Sequence, residues 1–157
     1  MSIYFQQTAI GYVVIAEQNA RITNVYFQSE KIPNVNIENT PVLEQAFLQL
    51  NAYLAGELTE FSLPLAPNGT VFMQRVWQAL LAIPYGTTAS YKEIAIAINQ
   101  PKAVRAVGMA NAKNPIPIFI PCHRVIGSNG QLVGYSGGNG LATKEFLLNL
   151  ECLFKIL

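Results

Sequence analysis

Pro64, Pro67 and Gly69 mark a change in hydrophobic pattern that constrains the chain more than any other single feature. Before them, Ile3-Tyr4-Phe5, Gly11 to Ala16 and Ile22 to Gln28 are rich in β-branched and aromatic residues and read as strands, with Gln18-Asn19-Ala20 as a turn. Residues 33–40 read as a loop, and Thr40 is expected to cap a helix with Pro41 at its first position, for which proline is preorganised. Leu43, Ala46, Phe47, Leu50, Tyr53 and Leu54 then recur at helical spacing until Gly56 stops the run. After the boundary helical spacing predominates. The reading is therefore an α+β chain with a domain at 1–67 carrying an antiparallel sheet and a mainly helical domain at 68–157.

In the second part, the spacing predicts a helix over 71–83 with Phe72, Val76, Leu80 and Ile83 on one stripe, ended by Pro84-Tyr85-Gly86. Two short helices are expected at Ser90 to Ile98 and Pro101 to Asn111, separated only by Asn99 and Gln100. Ser90 and Glu93 have capping-box spacing at the start of the first. The pair reads as a helix-turn-helix whose second helix carries Lys102 and Arg105. Val125 to Tyr135 reads as a β-hairpin turning at Asn129-Gly130, and residues 141–150 as a closing helix that buries Leu141, Phe146, Leu147 and Leu150.

Charge follows the same division. Residues 1–67 carry two cations and six carboxylates, net −4, and residues 68–157 carry eight and three, net +5. A polyanion fits the basic part, although a solvated basic face fits it equally. No stretch approaches the ~20 apolar residues of a membrane span, and Met1 to Gln18 shows no export signal. The two cysteines, Cys122 and Cys152, are expected to be free thiols in a reducing cytosol, with Cys152 structural. One histidine, His123, is too few for a zinc site, so no metal is expected.

Cys122-His123 places a thiol beside a base able to raise its thiolate fraction, but adjacency alone does not establish contact. In an extended segment the two side chains would face opposite ways. A carboxylate could fix the imidazole tautomer, and Glu151 can supply it only if the last helix folds back.

Ile120-Pro121-Cys122-His123-Arg124-Val125 resembles the signature of the O6-alkylguanine-DNA alkyltransferases. The resemblance continues through Arg105-Ala106-Val107-Gly108, Ala110-Asn111, Asn114-Pro115-Ile116-Pro117, Gly134-Tyr135-Ser136-Gly137-Gly138, Lys144, Leu147-Leu148 and Glu151, covering roughly residues 70–151. It implies a ribonuclease-H-like first domain and a winged helix-turn-helix second domain. It also implies single-turnover DNA repair, with an alkyl group moving from guanine O6, or thymine O4, to Cys122 after base flipping.

By the same resemblance His123 activates Cys122 through water, Glu151 orients the imidazole and Asn114 holds the turn before the cysteine. Tyr91 crowds the 3′ phosphate of the target nucleotide and offers a proton to the base. Arg105 fills the gap left by the flipped base, with Lys102 beside it on the DNA. The carbonyls of Cys122 and Val125 accept from the guanine amino group, Ser136 donates toward O6, and Pro117 and Tyr135 line the pocket. The partner is double-stranded DNA containing O6-alkylguanine; no cofactor and no membrane are involved, and a monomer is expected. Asn139-Gly140 lengthens the loop after Ser136-Gly137-Gly138 relative to shorter family members, and the zinc-binding Cys/His set of some relatives is missing.

Three other readings compete. An alkyltransferase-like damage binder would lack the acceptor cysteine. A cysteine hydrolase gives no account of Tyr91, Arg105 and the helix pair. A plain winged-helix regulator would leave the thiol incidental.

Overall fold

The computed structural model describes residues 1–27, 30–130 and 140–155, which form two compact units, Met1–Pro67 and Asn68–Leu157. In the first, strands β1 (Ser2–Thr8), β2 (Gly11–Gln18) and β3 (Arg21–Phe27) form an antiparallel meander. The turn between β2 and β3 puts Asn19 and Ala20 at φ 54° and 62°, the left-handed pair that matches the twist of a tight hairpin. Glu17 steadies it by accepting the Ala20 N–H at 2.9 Å. Helix α1 (Pro41–Leu54) buries the six apolar residues of its predicted stripe, and the Tyr4 ring meets Phe47 edge-on at 6.3 Å. Ile3, Val14 and Ala16 form a separate buried cluster with Tyr26 and Val35.

Two details differ from the sequence reading. Residues Asn36–Ile37, within the expected loop, form strand β4, parallel to β1 at Ser2 and Ile3. Both its residues are exposed, so backbone pairing creates it and no side-chain pattern announces it. Thr40 stands at the N-cap of α1, but its hydroxyl makes no capping bond. Gly56, at φ 78°, ends the helix by donating to the Tyr53 carbonyl while Glu57 donates to Ala52, a Schellman closure.

In the second unit, helix α2 (Val71–Leu81) is capped by Thr70 and buries Val76, Trp77 and Leu80. The Trp77 indole donates to the Ala110 carbonyl at 2.9 Å and so ties α2 to the later helix α4. Strand β5 (Ala89–Ser90) leads into α3 (Tyr91–Ala97), with the expected Ser90–Glu93 capping box in place. Helix α4 (Val104–Ala112) follows after Asn99, at φ 61°, turns the chain. It starts three residues later than the sequence suggested, so Lys102 lies in the turn before α4 and not on it.

Strand β6 (Val125–Ile126) pairs with β5 in parallel. The turn at Gly127–Gly130 forms, and the return strand of the expected hairpin lies outside the described residues. The last helix, α5 (Leu141–Phe154), is longer than expected and buries a different face. Leu141 and Phe146 are exposed and Leu150 is only half-buried, whereas Thr143, Lys144, Leu147 and Glu151 point inward. Two ionisable side chains occupy that face because the second unit supplies partners for them. Among the described residues no helix is long and apolar enough to cross a membrane.

Candidate active site

The approach to Cys122 is a bent, buried segment. Asn114 fixes it from both ends of its amide: Oδ1 accepts the Ile116 N–H at 3.0 Å, and Nδ2 donates to the Ile120 carbonyl at 2.8 Å. Ile118 is held at φ 75°, a conformation a β-branched residue adopts only under constraint from its surroundings. Cys122–Arg124 then form one 3₁₀ turn and not an extended strand. Side chains on that turn fan out, so the opposite-facing arrangement of a strand does not apply.

His123 is fully buried and its Nε2 lies 2.7 Å from Glu151 Oε2, so α5 does fold back onto the cysteine turn. Arg124 grips the same carboxylate with two donors, Nε to Oε1 at 2.8 Å and Nη2 to Oε2 at 3.0 Å, and sends Nη1 to the Ile83 carbonyl at 2.8 Å. The Gly86 N–H adds a further bond to Oε1 at 3.2 Å, and the Tyr85 ring lies 5.7 Å from the guanidinium carbon. Burial alone would push the Glu151 carboxyl up; the bonds from His123 and Arg124 outweigh it and hold the pKa down at about 2. Glu151 is therefore ionised, and the 2.7 Å bond requires the imidazole proton on Nε2. That leaves Nδ1 as the basic nitrogen. Burial lowers the His123 pKa against the pull of Glu151, so the ring is neutral near pH 7.

Cys122 is 5% exposed, and burial pushes its thiol up to about 11, partly offset by a hydrogen bond from Asn114 and by the charge of Lys144. The resting group is thus a protected thiol. Lys144, on α5, is fully buried and donates to the Val125 carbonyl; burial brings its pKa down to about 8, with Cys122 pulling the other way. Tyr91, the first residue of α3, is half-buried; burial raises its phenol pKa, as does Cys122 when it is ionised.

Cys122, His123, Glu151, Asn114, Val125 and Tyr91 are thus gathered in one place, with Pro117 buried on the approach segment. Arg105 stands apart, exposed on α4, and Lys102 is exposed in the preceding turn. Tyr135 and Ser136 lie outside the described residues. Cys152, expected to be structural, is exposed on α5. Sequence reasoning assigned no role to Arg124, Lys144 and Asn111. Each lay within a recognised motif, but their partners are distant in sequence, and only the fold shows the pairing.

Comparison with known proteins agrees with this arrangement. Residues 71–153 match the DNA binding domain of 6-O-methylguanine DNA methyltransferase, and residues 2–67 match its ribonuclease-like domain. A constitutive methylated-DNA–protein-cysteine methyltransferase of Bacillus subtilis is 49% identical over 152 residues, 92% of either chain. One from Methanosarcina barkeri is 50% identical over 149 residues, 92% of this chain and 93% of the relative. The structure of Mycobacterium tuberculosis OGT in complex with DNA superposes with a TM-score of 0.90 at 46% identity, covering 98% of this chain and 94% of that one. Two family models, one for each unit, and relatives near half identity leave one assignment: the chain belongs to the 6-O-methylguanine DNA methyltransferase family.

Proposed function

We propose that this protein repairs DNA by moving an alkyl group from O6 of guanine, or O4 of thymine, onto Cys122 Sγ in one irreversible turnover. The observation that carries this reading is the buried Cys122 turn, whose next two residues both bind Glu151. The named activities of the relatives and the DNA-bound structure of a homologue support the substrate.

An O6-alkyl group lies inside the duplex, so the nucleotide is flipped out before reaction, at a cost of about a few kcal/mol. Arg105, exposed on α4, enters the stack in its place, and Lys102 contacts the phosphate backbone. Tyr91 crowds the rotated phosphate, and Pro117 and Tyr135 wall the base. His123 Nδ1 takes the thiol proton through a bridging water, and Glu151 stabilises the imidazolium that results. The Sγ electron pair attacks the alkyl carbon as the C–O6 bond breaks, and the bonding pair passes to the purine. Tyr91 supplies the proton that neutralises the departing base, the proton held on His123 restores the phenol, and Ser136 stabilises O6. Asn114 orients the sulfur loop. The products are an unmodified guanine, still part of the DNA, and a thioether on Cys122. A thioether has no leaving step, so the protein is spent. The chemistry requires a reduced thiol, which the cytosol maintains and which both cysteines fit.

Titration with excess O6-methylguanine duplex tests this directly. Repaired lesions should plateau at one per protein molecule, and sustained turnover would refute the reading.

A further inference from the structure

Asn111 is 2% exposed, on the inward face of α4 between Tyr91 and the cysteine turn. A Cβ placed on Gly108, one turn earlier, would lie 3.9 Å from the Tyr91 ring, and the Asn111 side chain hydrogen-bonds the Tyr91 phenol. Its Nδ2 also donates to the Cys122 carbonyl at 3.4 Å. Turning the amide over would set oxygen against that carbonyl oxygen, so the orientation follows from the contacts. Oδ1 is then a buried acceptor with no hydrogen-bond partner among the described residues. Such groups are rare in folded interiors, and one beside a reactive thiol calls for a partner from outside the chain.

The carbonyl acceptors nearby are engaged to different degrees. The Cys122 carbonyl takes the Val125 N–H of the 3₁₀ turn and a long bond from Asn111 Nδ2, so it is a poorer acceptor for a further donor. The Val125 carbonyl takes Lys144 Nζ and keeps one lone pair. A purine amino group entering beside Cys122 brings two N–H donors. We propose that Asn111 is a specificity-determining residue whose Oδ1, together with the remaining lone pair of the Val125 carbonyl, accepts the 2-amino group of guanine. This rests on the alkyltransferase reading above, and it moves part of the amino-group recognition from the Cys122 carbonyl to a side chain. It favours guanine over bases without that amino group, because an uncompensated buried acceptor remains when they bind.

The test compares matched duplexes containing O6-methylguanine and O6-methylhypoxanthine, which differ only in the 2-amino group. Wild type should repair the guanine lesion faster. Asn111→Leu should slow repair of the guanine lesion by about tenfold while changing the hypoxanthine rate less than about twofold, collapsing the preference. Asn111→Asp keeps an oxygen at the same place and should retain more preference than Asn111→Leu. Equal slowing of both lesions by Asn111→Leu would mean a structural role and would overturn the proposal. A wild type that does not distinguish the two lesions would overturn it too. Failure of wild type to repair either would remove the alkyltransferase reading itself.

Discussion

Helices α1 and α5 are each 14 residues long, yet they bury opposite kinds of surface. The inward face of α1 is Leu43, Ala46, Phe47, Leu50, Tyr53 and Leu54, all apolar or aromatic. The inward face of α5 is Thr143, Lys144, Leu147 and Glu151. The first helix stabilises its unit by removing apolar area from water. The second is worth less as a hydrophobic element, because desolvating Lys144 and Glu151 offsets much of what Leu147 contributes. What it supplies is fixed charge beside a thiol. In this protein the stabilising and the reactive polar interiors are carried by different helices in different units.

The largest effect on the reaction should come from α5. Glu151→Gln removes the charge that Arg124 and His123 share, and the rate of alkyl transfer should fall by about a hundredfold or more. Losing one partner of a buried pair should also cost about 3–5 kcal/mol in denaturant unfolding. The pH dependence has a definite sign. The folded pKa of Glu151 lies below its ordinary value, so its contribution is complete above about pH 4.5 and is lost as pH falls toward about 2. The stability difference between wild type and Glu151→Gln should therefore shrink through that window. A difference that stays constant would show that the carboxylate is not held as described.

Lys144→Met separates stability from chemistry more sharply. The folded pKa, about 8, is depressed, so the unfolded chain binds the proton more tightly and stability rises with pH through 8 to 10.5. The methionine variant should be more stable than wild type at pH 7, with the gap closing as pH rises through that range. Its transfer rate should fall by about tenfold, because the Cys122 thiolate loses a buried cation and the Val125 carbonyl loses its donor. Unchanged transfer would break the contrast between the helices. Phe47→Ala, on α1, should have the smallest effect on reaction rate per folded molecule, within about twofold. It should nevertheless cost about 3–5 kcal/mol of stability in its own unit by leaving a cavity. A large drop in rate for correctly folded protein would show that the two helices are not divided in this way.

The contrast also accounts for what could be read from the sequence. Runs of β-branched and aromatic residues revealed the three long strands, and apolar periodicity revealed the stripe of α1, where burial and hydrophobicity coincide. Local chemistry revealed the Ser90–Glu93 capping box and the Gly56 stop, since both act over a few residues. The same logic misread α5: Leu141 and Phe146 were expected inside and lie outside, because Lys144 and Glu151 take the inner face with partners far away in the chain. β4 and β5 were missed since two-residue strands arise from backbone pairing that leaves no side-chain signature. Asn114 and Glu151 could be placed because the motif carried them, while the Arg124 clamp and the Asn111 bridge join residues that only the fold brings together.

The central claim is that Cys122 is the atom-for-atom destination of the alkyl group. Incubation with a duplex carrying isotopically labelled O6-methylguanine, followed by proteolysis and mass spectrometry, measures it without intermediate assumptions. The peptide containing Cys122 should gain one labelled methyl per protein molecule, while the exposed Cys152 stays unmodified. Label on Cys152, on another residue, or on none would contradict the account.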